Sequence, residues 1–567
     1  MTQTPAPAAP VPSAIDTVSD AFVADLCAAS PITAMWLGRA EPGEQGLDDL
    51  SPDGLAALDE LVRRSLGAAE QAAAADARDE ISRDILTERL RLERDKFDTG
   101  WTHAQLNVID SPLQNVRMLF DMMPTESAED WQAIADRMGA VPAALAGYRQ
   151  SLNYAADQGR VAAQRQVTKC AQQCATYAGT ASSPGFFRTL AASAEKPGAL
   201  GSVLAAQAAA ADRAYGELGE YFTSELRARA PKKDAVGAER YALASRDFLG
   251  SAVDLAETYA WGWQEFLSIE AELKAVAEQI APGEGPAGAA AALSADARYQ
   301  VHGHDALQAW MQRLSDQAID ELGRTHFDIP EPVRVLECRI APPGGGVGAY
   351  YSSPSEDFAR PGRMWFSVES GREDFPIWRE VSTVYHEGAP GHHLQIATAT
   401  YQRDHLNDFR RLLAGTSGHA EGWALYAERL MRELGYLGDD GALLGMLDGQ
   451  LFRAARVVVD IGMHLELPIP AGTGFHEGET WSPELGLEFL LTRTVSDPAH
   501  YRDEIDRYLG WPGQAPAYKV GERVWREGRA AAEGRRGSGF DLKAFHTAAL
   551  AMGGMGLGTL ERQLAAL

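Results

Sequence analysis

Tyr385-His386-Glu387-Gly388-Ala389-Pro390-Gly391-His392-His393-Leu394-Gln395 is the stretch on which the reading of this chain turns. A His-Glu pair followed one helical turn later by His puts two imidazoles on one helical face, a grip for zinc, with the Glu poised to activate water. Here Pro390 stands one turn after His386, and the next histidines are His392 and His393. On an unbroken helix each residue adds about 100° and about 1.5 Å, so His392 would point roughly 120° away from His386. His393 would share its face but sit roughly 10 Å further along, too far for one ion with bonds of about 2 Å. Pro390 breaks such a helix. It has no N–H for the His386 carbonyl, it crowds the preceding turn, and it drives Ala389 toward extended backbone. Gly391 supplies the free dihedrals for a restart. The segment is therefore expected to be an interrupted helix whose bulge returns a histidine to the level of His386. The wording Gly391-His392-His393-Leu394 favours His392, with His393 as the alternative ligand or as a donor to substrate. A helix ending in a Pro-Gly turn with two exposed histidines is the plainer reading, and the apparently buried run into His386 weighs against it.

An open zinc site takes three protein ligands and keeps its fourth position for water, one ion per chain. Glu421, in Gly418-His419-Ala420-Glu421-Gly422-Trp423-Ala424-Leu425-Tyr426-Ala427-Glu428, lies 34 residues after Glu387 and suits the third place. His419 is the fallback. Glu428, two turns beyond Glu421, is placed to orient a ligand histidine, as outer carboxylates do. Arg453, Arg456, Asp460 and His464 form a polar stripe at helical spacing. Arg456 and Asp460 alone make an ordinary surface ion pair, but the apolar residues around them favour Asp460 and His464 lying near the metal. Further on, Tyr518 is a candidate donor to an oxyanion, and Lys519 or Arg507 a candidate clamp for a substrate carboxylate.

With 567 residues and 45% hydrophobic content, the chain can bury a large core. A net charge of −27 argues against nucleic-acid or anionic-membrane partners. No apolar run approaches about 20 residues, so no membrane span is expected. Residues 1–13 read as a disordered tail without the features of a signal peptide. Cys27, Cys170, Cys174 and Cys338 lack metal-type or redox-type spacing and read as free thiols, which points to a reducing cytoplasm.

Residues 14–325 are expected to form a helical region with alanine-rich faces, and 326–567 a metal-binding region continuous with it. Loops are expected at 232–237 and 282–288. Alternation in Val333–Ile340, Ala349–Tyr351 and Arg363–Val368 predicts a small antiparallel sheet just before the motif helix, separated by a turn at Gly344–Gly348. A sheet edge there would suit an extended substrate adding as a further strand. Helices then dominate to the end, with spans expected at Trp378–Glu387, His392–Leu413, His419–Leu434, Asp439–His464 and Gln514–Gly534.

Four motifs in this order resemble one family: His386-Glu387-x-x-Pro390-Gly391-His392-His393-Leu394-Gln395, Glu421-Gly422-Trp423-Ala424-x-Tyr426, Arg456-x-x-x-Asp460-x-Gly462-x-His464, and Pro512-Gly513-Gln514-Ala515-x-x-Tyr518-Lys519-x-Gly521. It is the mostly bacterial family carrying the label "domain of unknown function" 885, which looks like a distant branch of the gluzincin-type zinc metallopeptidases. The resemblance implies a mainly α, gluzincin-like helical fold with a deep cleft. It implies zinc on His386, His392 and Glu421, with Glu387 as general base. It also draws Gln514, with Arg456, Asp460, His464 and Lys519, toward the site. The expected activity is zinc-dependent hydrolysis of short peptides, from the C-terminal end by analogy with helical carboxypeptidases. The alternatives are a zinc hydrolase of another amide or ester, and a metal- or peptide-binding protein without catalysis. Oligomeric state is left open.

Overall fold

Long amphipathic stretches rich in alanine and leucine become helices because their apolar residues recur at helical spacing and lose little entropy there. The computed structural model describes residues 12–40, 46–180, 182–194, 198–341, 348–495 and 500–567. Of it, 69% is helical and 4% is strand, so the protein is mainly α. Most of the expected tail and of the Gly344–Gly348 turn lies outside the described residues.

The chain forms two compact units, one of residues 13–236 with 503–511 and one of 237–502 with 512–567. Compactness thus divides the chain after Val236, whereas the change in sequence texture comes near 326. In the first unit the helix Ala128–Asp157 runs on through Pro142. It packs on Ala199–Tyr221, whose end passes into a π-turn at Phe222–Leu226. Trp131, Tyr148, Phe187, Tyr215 and Phe222 fill the core between these helices.

In the second unit a small sheet stands where alternation predicted one. It comprises β2 (Leu336–Ile340), β3 (Ala349–Ser352) and β4 (Gly362–Phe366), in the order β2-β4-β3. β3 pairs with β4 antiparallel, as expected, but β2 pairs with β4 in parallel. The link from β4 back to β3 is short enough for a hairpin-like return, which leaves β2 only the far edge of β4. A separate antiparallel pair joins β1 (Gln300–His302) to β5 (Asp374–Pro376). Leu336, Cys338 and Met364 on the sheet's inner face pack with Leu307, Met311 and Ile319 of the helix His304–Thr325 and with Val384 and Ala389 of the motif segment. The sheet is the floor on which the motif rests.

Two boundaries differ from the sequence reading. A helix starts at Gly285, inside the expected 282–288 loop, because Pro286 suits a first helical turn. The expected helix His392–Leu413 is two, His392–Tyr401 and Asp408–Leu412, the second capped by Asn407. Among the described residues no helix is long and apolar enough to cross a membrane.

Candidate metal centre

The motif is an interrupted helix. The motif helix Glu380–Glu387 ends with the Gly388 N–H on the Val384 carbonyl, and a restart helix begins at His392. Between them the Gly391 N–H returns to the Tyr385 carbonyl at 3.0 Å and the His393 N–H to Gly388 at 3.1 Å. A Cβ on Gly391 would lie 1.9 Å from the His386 carbonyl oxygen, so only glycine permits this approach. The buried Trp423 indole donates to the Pro390 and Gly391 carbonyls at 2.8 and 3.2 Å, pinning the break.

The interruption brings His392 against His386, with ring centroids 4.8 Å apart and the planes nearly perpendicular. Glu421 comes from the helix Ser417–Glu433, whose first turn is capped by Thr416. Its Oε2 is 3.2 Å from His386 Nε2 and 3.5 Å from His392 Nε2. Ligand atoms on a tetrahedral ion with bonds of about 2.0–2.1 Å are roughly 3.3 Å apart. Both distances from Glu421 are close to that spacing, and the ligand atoms of all three side chains lie within 4.8 Å of one another. They are the one group of three metal-type side chains found together among the described residues.

Electrostatics agree. Burial disfavours charge on His386, yet its hydrogen bonds to Glu421 and Glu428 outweigh that and push its pKa up to about 10. Burial likewise opposes charge on Glu421, but the two histidines hold its carboxyl well below the usual range. A proton on His386 Nε2 thus occupies the place a cation would take. Behind it the Nδ1–H donates to Glu428 Oε1 at 2.7 Å, fixing the ring as expected for an outer carboxylate. Glu387, beside His386, is 8% exposed, and its Oε2 is buried without a hydrogen-bond partner. A buried carboxylate oxygen left so is costly unless it serves a ligand or a proton.

Other expected residues fall elsewhere. His393 is not part of the cluster: its Nε2–H donates to the Val333 carbonyl at 2.8 Å, and its Nδ1 accepts from the Tyr351 hydroxyl at 3.0 Å. Burial holds it neutral, its pKa down at about 4. His419, the fallback ligand, lies against Gln395 and the Trp525 ring. Asp460 accepts from the Tyr241 hydroxyl at 2.6 Å and from the Gly513 N–H at 2.9 Å, with His464 3.8 Å away. Asp460 thereby anchors the Pro512-Gly513-Gln514 turn, where Gly513 has φ +83°. Gln514 reaches Ser417 at 3.4 Å, next to the start of the glutamate helix. Arg456 lies over the rings of Phe452 and Tyr518, 4.7 and 4.9 Å from their centroids. Tyr518 is half-buried on the first turn of the helix Ala517–Arg536. Lys519 clamps no substrate: it is buried on Glu265, Gln450 and Glu522. Arg507 belongs to the other unit, where it pairs with Glu504 at 3.3 Å.

Sequence reasoning missed Gln450, whose amide donates to Glu428 Oε2 at 3.1 Å and accepts from Lys519 at 3.0 Å. Its signal was a glutamine on the apolar stripe Leu447, Leu451, Ala454. It also missed Tyr351, whose partner His393 is 42 residues away, and for that pairing the sequence carries no signal.

A comparison with curated proteins finds no match. Among solved structures, a "putative lipoprotein" from Colwellia psychrerythraea is similar over 98% of this chain and 99% of its own, with TM-score 0.81 and 21% identity. A "putative lipoprotein of unknown function" from Shewanella oneidensis is similar over 97% of this chain and 100% of its own, with TM-score 0.74 and 16% identity. At these identities the likeness concerns the fold. The family described as "Bacterial protein of unknown function (DUF885)" matches residues 31–564, which include all four motifs and every residue of the cluster, and the chain belongs to that family.

Proposed function

We propose that this protein is a zinc-dependent hydrolase of short peptides, a distant relative of the gluzincin peptidases. The observation that carries the reading is the gathering of His386, His392 and Glu421, their ligand atoms within 4.8 Å of one another, beside the unpartnered buried carboxylate oxygen of Glu387. Zinc held by those three residues supplies Lewis acidity toward water and toward an amide carbonyl. Glu387 takes the proton of the attacking water at its free oxygen and delivers it to the leaving nitrogen. Glu428 keeps the His386 ring turned toward the ion. Tyr518 is the candidate donor to the developing oxyanion. β3 has one strand neighbour, β4, among the described residues, and its Tyr351 touches His393, which makes its other edge the candidate place for an extended peptide to add. Nothing in this chemistry calls for a nucleic acid or a membrane.

The four cysteines are buried free thiols, which supports a cytoplasmic location. The lipoprotein wording of the two similar structures favours the cell envelope instead, and fractionation of native cells decides between the two.

The test is metal analysis of protein made without an affinity tag, followed by a peptide-library screen of the unaltered protein and Glu387→Gln. About one zinc per chain in both proteins, with cleavage by the unaltered protein alone, is the expected result. Equal cleavage by Glu387→Gln, or no zinc uptake, refutes it.

A further inference from the structure

Glu421 belongs both to the metal-type cluster and to the wall of a cavity of about 460 Å³. That volume lies within the range of small-molecule sites. Two helices build the wall with the faces that carry the cluster. On the restart helix, Gln395, Ile396 and Ala399 follow His392 at three, four and seven residues, the spacing of one helical face. On the helix Ser417–Glu433, Ser417 stands one turn before Glu421, with Ala420 beside it. Leu412, Trp525 and Leu550 extend the apolar lining. Ile396, Leu412 and Ala420 are half-buried, so part of this apolar surface meets solvent. The charged groups of the wall are engaged: Glu421 with the two histidines, Arg411 with Asp408 and Glu356, and Arg410 with the Met552 carbonyl. One polar side chain is incompletely satisfied. Gln395 is 5% exposed, its amide nitrogen donates to the His419 carbonyl at 3.3 Å, and its Oε1 is buried without a partner. Such an acceptor is costly unless a ligand meets it, and a peptide offers N–H groups along its length.

A substrate whose carbonyl reaches an ion on His386, His392 and Glu421 lies against the same two helix faces. An apolar side chain next to that carbonyl gains by leaving water for the lining. We propose that this cavity receives the side chain of the residue flanking the scissile bond and selects a large apolar one. This rests on the peptidase reading and names its substrate class: short peptides with a residue of leucine to phenylalanine size at the cleaved bond. Ile396, Leu412 and Trp525 are the contacts that set the preference. Gly415 keeps the space open: it lines the cavity, is exposed, and an added Cβ would meet nothing within 4 Å.

Full-length protein supplied with zinc is assayed on Ala-Ala-Xaa-Ala-Ala peptides, Xaa being glycine, alanine, leucine or phenylalanine, with the cleaved bond read by mass spectrometry. Bonds flanking leucine or phenylalanine are expected to be cleaved about 10- to 100-fold more efficiently than those flanking glycine, the range for burying one such side chain. Gly415→Leu occupies the cavity and is expected to lower the phenylalanine-to-glycine ratio about tenfold. Ile396→Ala, at a half-buried position, is the second variant should the first not fold, and is expected to lower that ratio about threefold. Binding of N-acetyl-phenylalaninamide and N-acetyl-glycinamide to Glu387→Gln supplied with zinc, with and without Gly415→Leu, is measured by calorimetry, independently of turnover. Equal or reversed cleavage of the peptides, or a preference unmoved in a folded variant, overturns the subsite and leaves the peptidase reading standing. If no peptide is cleaved, selective binding of the phenylalanine ligand that Gly415→Leu abolishes upholds the subsite while the peptidase reading falls. Any other binding result in that case overturns the subsite as well.

Discussion

His386 can hold a proton or a metal at Nε2, and the two compete. With no ion bound, its pKa of about 10 makes it an imidazolium between Glu421 and Glu428 near neutrality. Zinc uptake between pH 7 and 9 should therefore release about one proton from this ring, and apparent affinity should rise about tenfold per pH unit. Calorimetry in buffers of different ionisation enthalpy measures that proton; none released would mean the ring binds zinc from a neutral state. The sign for stability is the opposite. A raised folded pKa contributes stability that is fully present below the unfolded value of about 6.5 and is lost as pH rises through about 10. The melting temperature of metal-free protein should thus fall between pH 7 and 10 more steeply than that of zinc-loaded protein. The clustered residues were legible because the motif names their types and spacing. That His392 rather than His393 joins the cluster depends on groups distant in sequence, the Val333 carbonyl and the Tyr351 hydroxyl that occupy both nitrogens of His393.

At the scale of elements, the position of Glu421 depends on how closely two helices cross. Ser417–Glu433 and Ala517–Arg536 meet at Gly418, Gly422 and Gly521. A Cβ on Gly521 would lie 1.9 Å from the Gly418 carbonyl oxygen, and one on Gly422 would lie 2.3 Å from Gly521 backbone. Gly521→Ala must therefore push the helices apart, at a cost of about 1–3 kcal/mol or more. It should also weaken zinc binding, because Glu421 adjoins the contact. Gly534→Ala, on the same helix with nothing within 4 Å of its Cβ, is the control and should stabilise by up to about 1 kcal/mol. Melting curves and zinc titrations of both variants check this, and equal behaviour would show that the crossing tolerates a methyl group. Gly422 and Gly521 stood in the sequence motifs, yet a motif glycine does not declare its partner. The sheet was legible for a related reason and to a similar depth. Alternation located each strand, but pairing direction depends on which edge of β4 the earlier strand can still reach.

At the scale of the molecule, charge is organised behind the site. From His386 a buried chain of contacts runs through Glu428 and Gln450 to Lys519, which also meets Glu265 and Glu522, with Arg429 3.0 Å from Glu522. Lys519→Met would remove one cation shared by Glu265 and Glu522 and leave them Arg429, so a loss of about 1.5–3 kcal/mol is expected. A substrate clamp would instead show a raised KM at unchanged stability, so denaturation and kinetics on one variant separate the two roles. The division into units was hidden for a similar reason: composition is helical on both sides of Val236, and the first unit takes a strap, 503–511, from far along the chain. Asp506 on that strap accepts from Arg165 at 3.2 Å and meets Lys169 at 2.9 Å, while its carbonyl accepts from Gln166 at 2.7 Å. Asp506→Ala removes the carboxylate and keeps the carbonyl contact. Both cations retain access to water, so the expected loss is about 1–2 kcal/mol. Stability of the zinc-loaded and metal-free forms should fall by the same amount, because the ligands belong to the other unit. A denaturant titration with each form measures this. If zinc affinity falls together with stability in Asp506→Ala, the strap and the metal centre are energetically linked.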